Sequence, residues 1–252
     1  MVKGLKKFSE YFSGHEGNYV LIGGAASHIL EEEALLVPRA TKDLDIILIV
    51  EALTDEFVAK FWSFIKEAGY EHIQKGVAEF YRFLKPSDAA YPFQIELFSR
   101  SPDSIKAPEG IHIVPIPTGK DLSSLSAIMM DDEYYQYTID NSDLVQGIHI
   151  ARSNALICLK ACAYLNMKER AANGEHVDHD DIVKHRNDII RLGLTLTKNQ
   201  SFDIPDGIST DLSRFLDMVS DNLPQDDFVA RAGAQGIKVT AVVDRIREAF
   251  GL

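Results

Sequence analysis

Cysteine is scarce: Cys158 and Cys162 are the only two among 252 residues. Two thiols cannot build a disulfide framework or a four-ligand zinc site. Their i,i+4 spacing inside an apolar helical pattern predicts buried thiols on one helix face. Long hydrophobic runs are absent as well. The longest, Ile46 to Val50 and Ala155 to Leu159, are far too short to span a membrane. The stretch from Met1 to Tyr11 is basic but has no continuous apolar core and no cleavage site, so it does not read as a signal peptide. Positive charge is the third shortage, with 26 Lys and Arg against 38 Asp and Glu, a formal net charge of −12. No segment forms the basic surface that neutralises phosphates, which excludes a general DNA-coating protein but leaves room for a nucleic acid gripped locally. Internal repeats and low-complexity tracts are lacking too. These absences predict a cytoplasmic chain in a reduced setting, without membrane attachment.

What is present is an ordinary globular composition, 46% hydrophobic and 25% charged, in a length that can bury a core without staples. Residues 1–100 alternate helix-like and strand-like segments. A helix is expected over Val2–Phe12, a strand over Asn18–Ile22, a helix over Gly24–Leu36 and an apolar strand over Leu44–Val50. Thr54 should cap an amphipathic helix running to Ala68, with Phe57, Phe61, Phe64 and Ile65 on its apolar face. Further strands are expected at Ala78–Leu84 and Phe93–Phe98. Residues 101–150 carry less signal, and short strands or hairpins are expected at Ile111–Ile116 and Leu144–Ile150. Within an acidic, aromatic patch from Asp131 to Tyr137, Asp131-Asp132-Glu133-Tyr134-Tyr135 reads as a solvated turn or a partner surface. From Ser153 the period becomes helical, with helices to Asn173, over Asp178–Leu192, and near Thr210–Val219 and Lys238–Phe250. The fold class is therefore α/β (α+β): a mixed-sheet domain over 1–150, irregular from 100, then a helical bundle over 151–252.

The stretch from Tyr19 to Val50 carries the chemistry. It reads strand, Gly23-Gly24, helix, Arg39-Ala40-Thr41-Lys42, then Asp43-Leu44-Asp45 leading an apolar strand. Asp43 and Asp45 sit two apart, so both carboxylates project from one strand face, with α-carbons about 6.5–7 Å apart. Like charges held there repel unless a cation sits between them, and hard oxygen ligands select Mg²⁺ or Mn²⁺. A glycine pair at a helix start brings backbone N–H groups and the positive end of the helix dipole to an anion. Ser27, one turn on, can add a hydroxyl. Metal carboxylates beside an anion cradle suit a metal-bound polyphosphate.

In this order the residues resemble the nucleotidyltransferase superfamily with the DNA polymerase β-like fold, whose motif is a glycine pair opening a helix and Asp-x-Asp on the next strand. Arg39, Thr41, Asp43 and Asp45 form an Arg-x-Thr-x-Asp-x-Asp sequence similar to the bacterial AbiEii/AbiGii toxin-like branch. The resemblance implies a third carboxylate on a later strand. Glu96 is the candidate, since Ile95 and Leu97 lie on the opposite strand face; many members carry Asp there. Leu159-Lys160-Ala161-Cys162-Ala163 resembles a Leu-Lys-x-x-Ala helix of that branch, and Lys184-His185-Arg186-Asn187-Asp188-Ile189 its Lys-(Asp/His)-x-x-Asp helix. Lys160 either snorkels to the surface or meets a carboxylate or phosphate in a cleft. Asp188 either orients such a group or pairs with Lys184 at i,i+4.

The resemblance implies transfer of a nucleoside monophosphate from a nucleoside triphosphate, with ATP the expected donor, to a hydroxyl acceptor. Asp43, Asp45 and Glu96 would be catalytic and hold the metals, two ions about 3.5–4 Å apart. Gly23, Gly24, Ser27, Arg39, Thr41 and Lys160 would bind the nucleotide. The acceptor stays open among RNA, protein and small molecules, and an antitoxin-like protein partner is compatible with the branch. A rival from another class is a nucleotide-binding or regulatory module of the same fold without turnover. A third reading takes His179-Asp180 as similar to the His-Asp pair of HD-type metal phosphohydrolases, with His176 and His179 as zinc ligands. A helix N-terminus capped by Asp178 explains the same letters.

Overall fold

The computed structural model describes residues 2–75, 81–98, 114–115 and 131–252, with the backbone alone at 72, 74, 75, 114 and 115. Eight strands among them form one mixed sheet: β1 (Tyr19–Ile22), β2 (Asp43–Leu48), β3 (His72–Lys75), β4 (Tyr81–Leu84), β5 (Gln94–Phe98), β6 (Val114–Pro115), β7 (Ser142–Val145) and β8 (Ile148–Ala151). Their order is β6-β3-β4-β5-β2-β1-β8-β7. β2 runs parallel to β5 and antiparallel to β1, and β4 is antiparallel to β5.

Helices α1 (Leu5–Tyr11) and α3 (Asp55–Ala68) supply aromatic rings to one sheet face. The ring of Phe8 meets Tyr19 at 5.2 Å, edge to face, and Phe61 meets Phe83 at 5.7 Å. α3 forms where the pattern places it. Thr54 accepts a hydrogen bond from the Phe57 amide at the start, Phe57, Phe61, Phe64 and Ile65 are buried, and Gly69 ends the helix at φ 61°. α2 (Gly23–Glu33) packs on β1 and β2, on the side of the sheet that carries Asp45. Behind it lie α5 (Ser153–Ala172) and α6 (His179–Gly193), the former almost entirely buried along its first thirteen residues. Inside α5 the two cysteines are buried, and loss of water pushes the Cys162 thiol up to about 11 and Cys158 higher still, so both are inert apolar fillers.

α2 is fastened to α6 by a buried ion pair: the Arg191 guanidinium donates to Glu31 Oε1 at 3.1 Å and Oε2 at 2.7 Å. The remaining helices, α7 (Asp206–Val219), α8 (Asp226–Arg231) and α9 (Val239–Phe250), complete the helical layer. β8 ends at Ala151 and α5 begins at Ser153, so the change of period near residue 151 coincides with the last strand. No helix of the described residues is long and apolar enough to cross a membrane.

Several elements differ from expectation. The segment read as a solvated turn is α4 (Asp132–Asp140). Asp131 caps it by accepting from the Glu133 and Tyr134 amides. Tyr134, Tyr135 and Tyr137 fall on its buried side because their hydroxyls find partners inside: Tyr134 donates to Asp211 at 2.9 Å and Tyr135 to the Leu48 carbonyl at 3.2 Å. Leu144–Ile150 falls within a hairpin, one of the two forms expected there: Gln146 and Gly147 both take positive φ (52° and 78°) and turn the chain. β3 and α8 were not anticipated. Of the expected strands at Ala78–Leu84 and Ile111–Ile116, residues 78–80, 111–113 and 116 lie outside the described residues.

Candidate functional site

The register of the central strands assembles the site. Ile22 pairs with Asp45, Asp45 with Glu96, and Glu96 with Arg82, giving one row across β1, β2, β5 and β4. Direct partners share a sheet face, so Asp45, Glu96 and Arg82 look the same way. Two residues back along the strands, Asp43 pairs with Gln94 on that face too. Leu44, Ile46, Ile95 and Leu97 alternate with them and are buried on the aromatic side.

The glycine pair is required by two contacts. Gly23 has φ +66°, and a β-carbon there would stand 1.8 Å from Asp45 Oδ2. A β-carbon on Gly24 would stand 2.8 Å from Thr41 Oγ1 and 3.5 Å from Arg39 Nη2. The helix start therefore sits directly against the Asp-x-Asp strand and the Arg-x-Thr segment before it. The Gly24 amide at this helix start favours the charged form of the Asp45 carboxyl.

These residues line a cleft of about 530 Å³ between the sheet and the helical layer. Gly23, Gly24, Asp43, Asp45, Gln94, Glu96 and Arg82 make its floor, Arg39, Ala40, Thr41 and Lys42 one side, and Lys160, Met167, Asp181, Lys184 and His185 the helical wall. The structure thus brings together every residue singled out for the site except Ser27. That side chain is buried and its hydroxyl donates 2.9 Å to the Gly23 carbonyl, one turn back in its own helix. A larger cleft of about 760 Å³, at the far end of α2, is lined by Glu33, Asp143, Arg152, Ser153, Asn154 and Thr195 among others. Its polar groups satisfy one another: Arg152 donates to Asp143 at 2.5 Å, Ser153 meets Thr195 at 2.6 Å, and Asn154 donates to Asn141 at 2.6 Å.

The floor is electrostatically unsatisfied. Burial, and then the Asp43 charge, push the Asp45 carboxyl up to about 6 against the pull of Lys160. Burial and the Asp45 charge push Glu96 up to about 7, although Arg82 Nε donates to Glu96 Oε1 at 2.8 Å and Gln94 adds a bond of 3.0 Å to the same oxygen. Burial raises Asp43 too, and its Oδ1 is inaccessible with no hydrogen-bond partner among the described residues.

The helical wall is the opposite case. Asp188 receives Arg39 Nε on Oδ1 at 3.0 Å, and Arg39 Nη2 and Lys160 Nζ on Oδ2 at 3.3 and 2.8 Å. Burial pushes this carboxyl up, but the two cations and their hydrogen bonds outweigh it and hold it down at about 2. Lys160 therefore does not snorkel, and the partner of Asp188 is Lys160 on α5, with Arg39, rather than Lys184 on its own helix. The segment from His176 to Asp181 is a helix start: Asp178 caps α6 by accepting from the Asp180 amide at 2.9 Å, and His179 and Asp180 are exposed.

Among the described residues no group of three His, Cys, Asp or Glu side chains is already spaced to hold a metal ion. What the floor offers is a donor set of hard oxygens. An unpartnered Asp43 oxygen lies beside two acids whose mutual repulsion a divalent cation would relieve. Arg82, Gln94, Lys184 and His185 were not singled out from the sequence as site residues. Arg82 and Gln94 are partners of Glu96 and Asp43 in the sheet register; only the pairing of strands reveals Arg82, whereas the two-residue period of β5 already puts Gln94 on the face of Glu96. Lys184 and His185 lay within the motif that named Asp188, and helix periodicity alone could have turned them to the same side. No protein-family model and no curated protein matches the chain.

Proposed function

We propose that the protein is a Mg²⁺-dependent nucleotidyltransferase of the DNA polymerase β-like kind, moving a nucleoside monophosphate from a triphosphate to a hydroxyl acceptor. One observation carries the reading. Asp43, Asp45 and Glu96 share one sheet face beneath a glycine-opened helix, across a cleft from Arg39, Lys160 and Lys184. An acidic floor facing a basic wall fits a ligand that is itself a cation joined to a polyanion.

Asp43 and Asp45 would hold the metal, with Glu96 as the third carboxylate. When bound, the ion would neutralise charge on the phosphate oxygens and activate the acceptor hydroxyl. The chain's own groups do the rest. Gly24 keeps its backbone free of a side chain where Thr41 and Arg39 close over the helix start, leaving room for phosphate to approach. Lys160 is held by Asp188 at 2.8 Å in a fixed position, with its charge felt at Asp45, so it can stabilise negative charge without reorganising. Arg39 is fixed the same way through its Nε and Nη2, with its side chain 38% exposed and so still partly open to the cleft. Glu96 would help ligate the acceptor-side ion or accept the acceptor's proton; without metal, burial and the Asp45 charge push its carboxyl up to about 7.

A binding module without turnover is favoured by one feature, the Arg82 and Gln94 bonds that already occupy Glu96 Oε1. One experiment separates the two. The protein is incubated with each α-labelled triphosphate, Mg²⁺ and cell lysate, and the label is followed into RNA, protein and metabolites, with ATP binding measured beside it. Transfer of label that is abolished by Asp43→Asn supports the enzyme. Mg²⁺-dependent binding without transfer supports the module, and absence of both overturns the nucleotide reading.

A further inference from the structure

His185 brings a buried ring nitrogen, unpartnered among the described residues, to the helical wall of the cleft. It lies on α6 between Lys184 and the Asp188 brace and lines the cleft. Its Nδ1 is buried and finds no hydrogen-bond partner among the described residues, while the residue as a whole is half-buried. Three cations bear on it from three elements: Lys160 of α5, Lys184 of α6, and Arg39 of the segment before β2, and Asp188 opposes them; Asp181, one turn earlier on α6, lines the same wall.

We propose that His185 is held as its neutral Nε2–H tautomer and donates that hydrogen bond to a phosphate oxygen of the bound triphosphate. The proposal rests on the nucleotide reading above. A protonated ring would add a fourth positive charge to the wall. Burial, followed by Lys160, pushes the imidazole down to about 3, so it carries a single N–H. Were that proton on Nδ1, a donor would be buried without an acceptor, a loss comparable to a broken hydrogen bond. With the proton on Nε2, the Nδ1 lone pair points into a region of positive potential and the one donor is left for the cleft side. The cleft itself selects what takes that donor. Asp43, Asp45 and Glu96 repel anions from the floor, and Arg39, Lys160 and Lys184 draw them to the wall on which His185 stands.

Substitutions distinguish the two ring nitrogens, because a Gln amide nitrogen reaches the position of Nε2 and an Asn amide nitrogen that of Nδ1. Calorimetric titration of wild type, His185→Gln, His185→Asn and His185→Ala with Mg²⁺·ATP and with Mg²⁺·tripolyphosphate is the test. Circular dichroism establishes that each variant is folded, and a ¹⁵N spectrum of the wild-type ring identifies its tautomer without any ligand. Expected are a loss of about tenfold or more for Ala and Asn with both ligands, the factor for one hydrogen bond to a charged group, and near-wild-type affinity for Gln. A protonated Nδ1 in the spectrum, rescue by Asn instead of Gln, or unchanged affinity in the Ala variant overturns the proposal while the nucleotide reading stands. Weakened ATP binding with unchanged tripolyphosphate binding overturns it too, since the contact would then be to the nucleoside. If wild type binds neither ligand, the nucleotide reading falls and the proposal with it.

Discussion

Asp45 and Asp188 both feel the ammonium group of Lys160, yet one carboxyl is raised to about 6 and the other held at about 2. The difference lies in what else surrounds them. Asp188 is bonded by Lys160 and by two nitrogens of Arg39, so each of its oxygens has a cationic donor. Asp45 has the Gly24 amide and a more distant Lys160, against the like charge of Asp43. Desolvation is the leading effect on both, and it is overcome only where ion pairing and hydrogen bonding coincide. The comparison teaches a way to tell a brace from a site. A satisfied buried acid holds elements together, here the Arg39 segment, α5 and α6. Acids that crowd one another with too few donors, as Asp43 and Asp45 do, are a place where a cation would relieve repulsion.

The largest expected effect comes from breaking the brace. Asp188→Asn removes the counter-charge of Lys160, whose side chain is only 7% exposed, and the fork that holds Arg39. An uncompensated buried charge costs about 3–5 kcal/mol, to be read from urea denaturation. Adding Lys160→Met should recover most of that loss, because the stranded charge is then gone. A cost below about 1 kcal/mol for Asp188→Asn would place this pair with ordinary surface ion pairs and dissolve the contrast with Asp45.

The floor should behave in the reverse sense. Asp45 and Glu96 rise from ordinary values of 3.8 and 4.5 to about 6 and about 7. Between those limits the folded state binds more protons than the unfolded state, so stability without metal falls as pH rises from about 4 to 7. Asp188 acts oppositely, its contribution being present above its ordinary value of 3.8 and lost as pH falls towards about 2. Metal-free protein should thus be most stable at mildly acidic pH and weaker by roughly 3 kcal/mol at about pH 8. Millimolar Mg²⁺ should restore stability at the higher pH by binding the folded state alone. Asp43→Asn with Asp45→Asn should reduce the pH dependence to what burial of Glu96 contributes and abolish the Mg²⁺ effect. Thermal melts at about pH 5 and pH 8, with and without Mg²⁺, check all three outcomes. A metal-free melting temperature that rises with pH would mean the floor carboxylates are already satisfied.

The same contrast marks what was legible in the sequence. The floor could be read because it depends on local periods: Asp43 and Asp45 share a face by the two-residue repeat of a strand, and Glu96 stands between two apolar neighbours. α3 and α6 were legible for the equivalent reason, a 3.6-residue apolar stripe with a cap at its start, and α5 through its long apolar run, which is buried on all sides. The brace was not. Arg39 and Asp188 are 149 positions apart, and the tempting local partner, Lys184 at i−4, is not the residue that binds. α4 was misread because Tyr134, Tyr135 and Tyr137 follow three consecutive acids, and a tyrosine's burial is decided by whether its hydroxyl meets a distant acceptor such as Asp211. β3, His72–Lys75, has too little apolar alternation to stand out, and its pairing with β4 is what makes it a strand.

The smallest expected effect tests the one residue assigned to the nucleotide that lies outside the cleft. Ser27 is 5% exposed, and its hydroxyl donates to the Gly23 carbonyl at 2.9 Å. That carbonyl belongs to the first turn of α2, where a backbone acceptor is normally used by the amide four residues on. The hydroxyl bond is therefore an addition to the helix, and such back-bonding inside helices is neutral to slightly unfavourable. Removing it in Ser27→Ala forfeits about 0.5–1.5 kcal/mol of net hydrogen bonding. Alanine returns about half a kcal/mol of helix propensity, and no large cavity is opened by the loss of one oxygen. The melting temperature should shift by no more than a few degrees. Triphosphate affinity should stay at the wild-type value, because a hydroxyl engaged behind the glycine pair has no path to the cleft. A tenfold loss of Mg²⁺·ATP affinity at constant melting temperature would reverse this conclusion. It would mean that the hydroxyl rotates away from Gly23 when phosphate arrives, making Ser27 part of the floor's unfilled chemistry instead of the helix's own.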